Sequence, residues 1–215
     1  TPDAKDLYRL LQKMKGEGIR AVCMEASSHA LDQKRLAGLR ASVAVFTNLT
    51  RDHLDYHNNM EEYFRAKRKL FSMTDFAVVN IDDPYGKKLA EGLAVPFATC
   101  SIADATADYM ASDISCGPEG VRFQHHHDGI TSRVEFGIPG LYSVHNALAA
   151  IAACRRLGLS LDRILAGLRQ IGVIRGRNER IGQVNGFSIL CDYAHTPDGL
   201  ENILKTTRAY VKGRI

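Results

Sequence analysis

Nowhere in the 215 residues is there a G-x-x-x-x-G-K-[ST] segment, so the glycine-rich cradle and lysine that grip nucleotide phosphates are missing from these residues. None of the five cysteines (Cys23, Cys100, Cys116, Cys154, Cys191) forms a C-x-x-C pair. Scattered in this way, they read as reduced core residues of a cytosolic protein. No apolar run is long enough to span a bilayer, and no signal peptide is present. There is no basic patch with interleaved aromatics, so the formal charge of +4 fits anionic substrates without implying nucleic acid. An initiator Met is also lacking, and the expectation is that an N-terminal portion is missing.

What is present is an ordinary globular composition, with 45% hydrophobic and 24% charged residues. Residues 43–71 organise the rest. The unbroken apolar run Val43-Ala44-Val45-Phe46 has the character of a strand buried on both faces of a parallel sheet. It ends in a polar burst through Asn48, Arg51, Asp52, His53 and Asp55, where open α/β sheets bind ligands. Asn59, with Glu62 three residues on, marks a capped helix start. At about 100° per residue, Met60, Tyr63, Phe64, Leu70 and Phe71 form one apolar stripe, and Lys67 falls in the middle of it. Burying an unpaired ammonium is costly. Lys67 is therefore either a snorkelling side chain with a wet head or a member of a site.

The chain before this stretch reads as a helix opened by Thr1-Pro2-Asp3, with Leu7, Leu10, Leu11 and Met14 inside and Gly16 and Gly18 closing it. A strand over residues 19–25 follows, ending at Glu25, and then a short helix toward Leu36. After Phe71 come a strand over 76–81, a short helix to Glu91 and a strand over 95–100. Alternating elements of this kind predict a mainly parallel sheet flanked by helices. Residues 107–138 change texture to alternating runs and glycine turns, a small antiparallel hairpin subregion. His125, His126 and His127 lie there. Successive strand residues face opposite ways, so the three read as a solvated hairpin rather than a metal site. An Ala-rich helix over 143–157 and a second over 160–169 precede an Arg/Gly linker at 175–180, the best domain boundary. Strands at 181–184 and 187–192 around Asn185-Gly186, then a helix begun by Thr196-Pro197-Asp198, start a second unit too short to close its own core.

Several motifs stand in a consistent order: Met24-Glu25-Ala26-Ser27-Ser28-His29-Ala30-Leu31 with Gln33 and Arg35; Phe46-Thr47-Asn48-Leu49 with Asp52-His53-Leu54-Asp55; Ala66-Lys67; and Asp192-Tyr193-Ala194-His195-Thr196-Pro197-Asp198. Together they resemble the Mur ligases, and most of all the branch that adds a diamino acid to a UDP-linked muramyl dipeptide. The resemblance implies a P-loop-type central domain over residues 1–174, lacking its N-terminal part. It also implies the beginning of a Rossmann-like C-terminal domain over 175–215. Together these would make a fragment of a cytoplasmic, monomeric ATP-dependent ligase of peptidoglycan precursor synthesis.

In such an enzyme ATP phosphorylates the D-glutamate side carboxylate of UDP-N-acetylmuramoyl-L-alanyl-D-glutamate. The amine of meso-diaminopimelate or L-lysine then attacks the acyl phosphate. The resemblance assigns Mg²⁺ to Glu25, His53 and a carbamylated Lys67, and the UDP-muramyl substrate to Thr1, Ser27, Gln33 and Arg35. It assigns the nucleotide to Asn146, Arg177, Asp192 and His195. Ser143 stands where the family usually has Asn, with a hydroxyl that could partly substitute, and Asn178 where it usually has Met. Without its phosphate cradle the chain by itself is expected to be inactive. A folylpolyglutamate synthase relative and a non-catalytic UDP-sugar-binding module are the competing readings.

Overall fold

The computed structural model describes residues 1–215. Six strands form one sheet in chain order: β1 (Ala44–Phe46), β2 (Ala77–Asn80), β3 (Phe97–Ser101), β4 (Tyr109–Gly117), β5 (Gly120–His127) and β6 (Ile130–Phe136). The pairings from β1 through β4 are parallel, and β4–β5 and β5–β6 are antiparallel. The hairpin strands thus extend the parallel sheet, joined to it through the short Cys100–Tyr109 and Ser101–Met110 register.

Both faces of β2 are covered, as its Ala-Val-Val run requires. Ala77 and Val79 point into a cluster with Phe46, Tyr63, Phe64, Phe71 and Leu89, beneath α3 (Met60–Arg68) and α4 (Pro84–Glu91). Val78 points the other way, into a larger core with Val144, Leu148 and Ile151 of α5 (Leu141–Arg156) and with Ile164 and Leu168 of α6 (Leu161–Gln170). Burial on both sides matches the apolar runs of β1 and of Ala77–Val79 in β2. The last unit is a hairpin of β7 (Glu179–Val184) and β8 (Phe187–Cys191), followed by α7 (Pro197–Arg208). Asn185 and Gly186 both take positive φ, 48° and 83°, as a two-residue hairpin turn demands.

The structure departs from the sequence reading at the N-terminal side. Residues 19–25 form no strand, and Ile19, Val22 and Met24 stay exposed. No other strand pairs with them, and an apolar alternating run is a strand only when a partner takes up its backbone N–H and C=O groups. Helix α1 (Ala4–Gly16) buries only Leu7 fully, while Leu10 remains 42% exposed. Its N-cap is Asp3. The Thr1 hydroxyl instead donates to the Glu25 carbonyl at 2.8 Å. Nor are the cysteines all core: Cys100 is buried, but Cys23 and Cys191 are exposed.

The triple histidine is not a solvated hairpin. His125 is buried to 1%, with neither ring nitrogen partnered, and the His127 ring stacks on Tyr109 at 3.8 Å. His126 bonds to Ser112 and Thr131 at 2.8 and 3.0 Å. Burial, with His127 and His126 adding, pushes the His125 imidazole down to about 4. An unfolded histidine titrates near 6.5, so between those values the unfolded chain holds the extra proton. This contribution to stability is complete above pH 6.5 and is lost as pH falls toward 4. A change on the order of 3 kcal/mol is expected. A melting-temperature profile should therefore fall across this window, and His125→Phe should flatten it.

Candidate active site

Helix α3 is built as its sequence suggests. Asn59 Oδ1 accepts the Glu62 N–H at 2.9 Å. The return arm of the capping box is displaced by one residue, because Glu62 Oε2 accepts from Asn58 N at 3.3 Å and Asn58 Nδ2 at 2.7 Å. Tyr63, Phe64 and Ala66 are buried, and Lys67 beside them is half-buried. Its Nζ lies 5.6 Å from the centre of the Tyr63 ring and forms no ion pair. Burial lowers the Lys67 pKa, while the carboxylates of Glu25 and Asp52 pull it upward. The ammonium is therefore half-buried without being neutralised by a direct ion pair.

His53 sits in the loop after β1 with φ of 54°, a conformation uncommon for a residue with a Cβ. Asp52 Oδ1 accepts its backbone N–H at 2.7 Å, and Asp52 Oδ2 lies 3.6 Å from its Nε2. The loop is tied to the sheet end: Asn80 Nδ2 donates to the Thr47 carbonyl at 2.7 Å, and the Leu49 N–H donates to Asp83 Oδ2 at 3.0 Å. The structure thus aims Glu25, Asp52, His53 and Lys67 at one region. No three His, Cys, Asp or Glu side chains gather there as a ready metal-holding group.

The four residues expected on the muramyl substrate converge on α2 (Ser28–Asp32). The Ser27 hydroxyl accepts from Ala30 N at 3.2 Å and caps that helix, while the Ser27 N–H donates to Thr1 Oγ1 at 3.3 Å. Arg35 donates through Nε to Gln33 Oε1 at 2.8 Å and through Nη1 to the Thr1 carbonyl at 3.1 Å. Asp3 Oδ1 lies 3.5 Å from the same Nη1. The result is an exposed polar rim with a fixed, forked cation at its centre.

A second group lies at the start of the C-terminal unit. Asp192 accepts from Asn178 N at 2.7 Å and from Ala194 N at 2.8 Å. Arg177 lies 5.6 Å from the centre of the Tyr193 ring, and His195 Nδ1 is 2.9 Å from the Tyr193 carbonyl oxygen. Tyr142, in the first turn of α5, has its phenol pKa raised by burial and further by the Asp192 carboxylate. Asn146 is exposed one turn farther along α5 and makes none of these bonds. Ser143 offers no substitute for an amide: it is fully buried, and its hydroxyl donates to the Pro139 carbonyl at 3.0 Å. Asn178 does have a structural consequence, with φ of 45° and a buried side-chain amide set against the Tyr142 phenol.

Residues 1–154 match the model of the Mur ligase middle domain, and residues 176–215 that of the Mur ligase glutamate ligase domain. The chain belongs to the Mur ligase family. The UDP-N-acetylmuramoyl-L-alanyl-D-glutamate–2,6-diaminopimelate ligase of Geobacillus thermodenitrificans is 42% identical over 224 residues, covering 100% of this chain and 46% of the relative. The enzyme of the same name from Clostridium perfringens is 38% identical, covering 100% and 45%. A solved structure of a ligase of that name superposes with a TM-score of 0.85 at 33% identity, over 100% of this chain and 45% of that one. The chain therefore spans about half the length of the Mur ligases it matches. No helix in it is long and apolar enough to cross a membrane.

Two residues of this candidate site were not legible as such. Asp52 stands in a motif without a role of its own, but its carboxylate pulls the Lys67 pKa upward against the effect of burial. His57 carried no separate signal at all, because a lone histidine after Tyr56 looks like any polar loop residue.

Proposed function

We propose that these residues serve an ATP-dependent amide ligase that adds a diamino acid to UDP-N-acetylmuramoyl-L-alanyl-D-glutamate in the cytoplasm. The proposal takes residues 1–174 as central-domain sequence and 175–215 as the beginning of the C-terminal domain. Lys67 carries the reading: it is a half-buried lysine without an ion pair, turned toward Glu25 and Asp52, in a chain of this family. Burial that lowers the pKa of an amine raises its neutral fraction. A neutral Lys67 amine can attack CO₂. The N–C bond forms, one C=O electron pair moves to oxygen, and a proton leaves the nitrogen. The product is a carbamate, which would supply an oxygen donor beside the Glu25 carboxylate and the His53 nitrogen.

The carboxylate and carbamate oxygens of this set suit Mg²⁺, which would offset the charge of the substrate carboxylate and the ATP γ-phosphate as they approach. Thr1, Ser27, Gln33 and Arg35 would hold the UDP-muramyl dipeptide. Asn146, Arg177, Asp192 and His195 would meet the nucleotide, with the Arg177 fork suited to phosphate.

The test is ADP release by the protein carried to its natural ends, with Mg²⁺, the UDP-muramyl dipeptide, and diaminopimelate or lysine. Release that needs both the dipeptide and one diamino acid is expected. The 215-residue chain alone is expected to release none. Turnover only with a different acid and amine would move the protein to another amide ligase, such as a folylpolyglutamate synthase relative. Silence with every pair would favour a UDP-sugar-binding module.

A further inference from the structure

His57 links the three segments bearing the candidate metal site. It is buried to 4%. Its Nε2 is 2.9 Å from the hydroxyl of Ser28, in the segment that follows Glu25. Its ring lies parallel to Tyr63 of α3, 12° between planes and 5.0 Å between centres, one helical turn before Lys67. Its backbone N–H donates to the His53 carbonyl at 2.9 Å, closing the loop in which His53 takes its left-handed conformation. Tyr63 in turn meets the His53 ring edge-on at 5.9 Å, and Tyr56 and His57 both pack against His29.

A stack and a hydrogen bond could stabilise the fold anywhere, but this pair bridges three chain segments whose ends carry Glu25, His53 and Lys67. A metal site built from separate segments depends on their mutual spacing. Groups hydrogen-bonded to ligating residues, as the His57 N–H is to the His53 carbonyl, typically govern affinity by roughly 10- to 100-fold.

Resting on the proposed ligase reading, we infer that His57, through its hydrogen bond to Ser28 and its stack on Tyr63, is a positioning residue for divalent-cation binding. It sets the spacing of Glu25, His53 and Lys67 without touching substrate.

The experiment uses the protein carried to its natural ends and Mn²⁺ as the probe, with free Mn²⁺ followed by electron paramagnetic resonance. His57→Phe keeps the ring and the stack but removes the bond to Ser28, and Ser28→Ala removes the same bond from the other side. Each substitution is expected to weaken Mn²⁺ binding by about 10-fold. The double variant should be no weaker than either single one, because the three share a single interaction. His57→Gln, which can still reach Ser28, should recover part of the loss.

In turnover, the Mg²⁺ concentration for half-maximal rate should rise while the KM for the UDP-muramyl dipeptide stays within about 2-fold. Wild-type Mn²⁺ affinity in His57→Phe and Ser28→Ala, with lowered melting temperature only, would overturn the inference and leave the ligase reading intact. Additive losses would overturn it too. A wild-type protein that binds no Mn²⁺ would remove the metal-site reading itself, and this inference with it.

Discussion

Lys67→Met, in the protein carried to its natural ends, is expected to lower the ligation rate by about 10³-fold, roughly 4 kcal/mol of transition-state stabilisation. Its stability should stay unchanged or rise slightly. The two halves of this expectation come from the same geometry. Lys67 occupies an apolar stripe with Tyr63 and Phe64, and burial already disfavours its charge. Met fills similar space with no charge to desolvate, so packing has no reason to suffer. Met has no nitrogen to carry a carbamate, however, and the site is then left with Glu25 and His53 alone. Steady-state ADP release and a urea unfolding curve, run side by side, check the pair of outcomes. A snorkelling lysine of no chemical use predicts nearly full activity. Activity within a few-fold of wild type would therefore sink the carbamate reading. A ¹³C resonance from a lysine carbamate in ¹³CO₂-equilibrated wild type, absent from Lys67→Met, would identify the group directly.

The position of Lys67 was legible because helical periodicity is a local property. Its neighbours three and four residues away decide the face, and the structure buries that face. The Asn59 cap, the β2 and β3 runs and the Asn185-Gly186 turn were legible for the same reason. The failures share a different cause. Residues 19–25 have the pattern of a strand, but a strand exists only in a pair, and pairing is not written in the segment itself. His125 looked wet because histidine usually is. It shares a sheet face with Val121 and Phe123, and only the packing of that face against α5 shows that it is covered. Ser143 looked available to a ligand, but its helix begins earlier than expected, at Leu141, and the hydroxyl is taken up by Pro139. The site motifs were likewise visible as clusters of polar residues. That Thr1, Ser27, Gln33 and Arg35 join into one bonded rim depends on contacts as distant as Thr1 to Arg35.

Gly86→Ala should destabilise the protein by about 3 kcal/mol, whereas Gly167→Ala should stabilise it by about 0.5–1 kcal/mol. Both glycines lie within helices, α4 and α6, and propensity alone favours Ala at each. Space decides otherwise at Gly86. A Cβ there would stand 1.9 Å from the Asn80 carbonyl oxygen and 3.0 Å from its carbon, while one at Gly167 would meet nothing within 4 Å. The obstacle at Gly86 is the end of β2, not a side chain that can rotate away, so α4 must shift bodily. That shift would pull on Asp83, whose carboxylate caps α4 through Tyr85 and Gly86 and also holds Leu49 N. Asn80, the residue struck, is the one that anchors the Thr47 carbonyl. The loop bearing His53 hangs from both anchors, so Gly86→Ala should weaken Mn²⁺ binding as well as stability, and Gly167→Ala should leave binding untouched. Denaturation midpoints and Mn²⁺ titrations of the two variants test this. Equal midpoints would mean that α4 yields freely at Asn80, and the close approach would then not be what sets the loop.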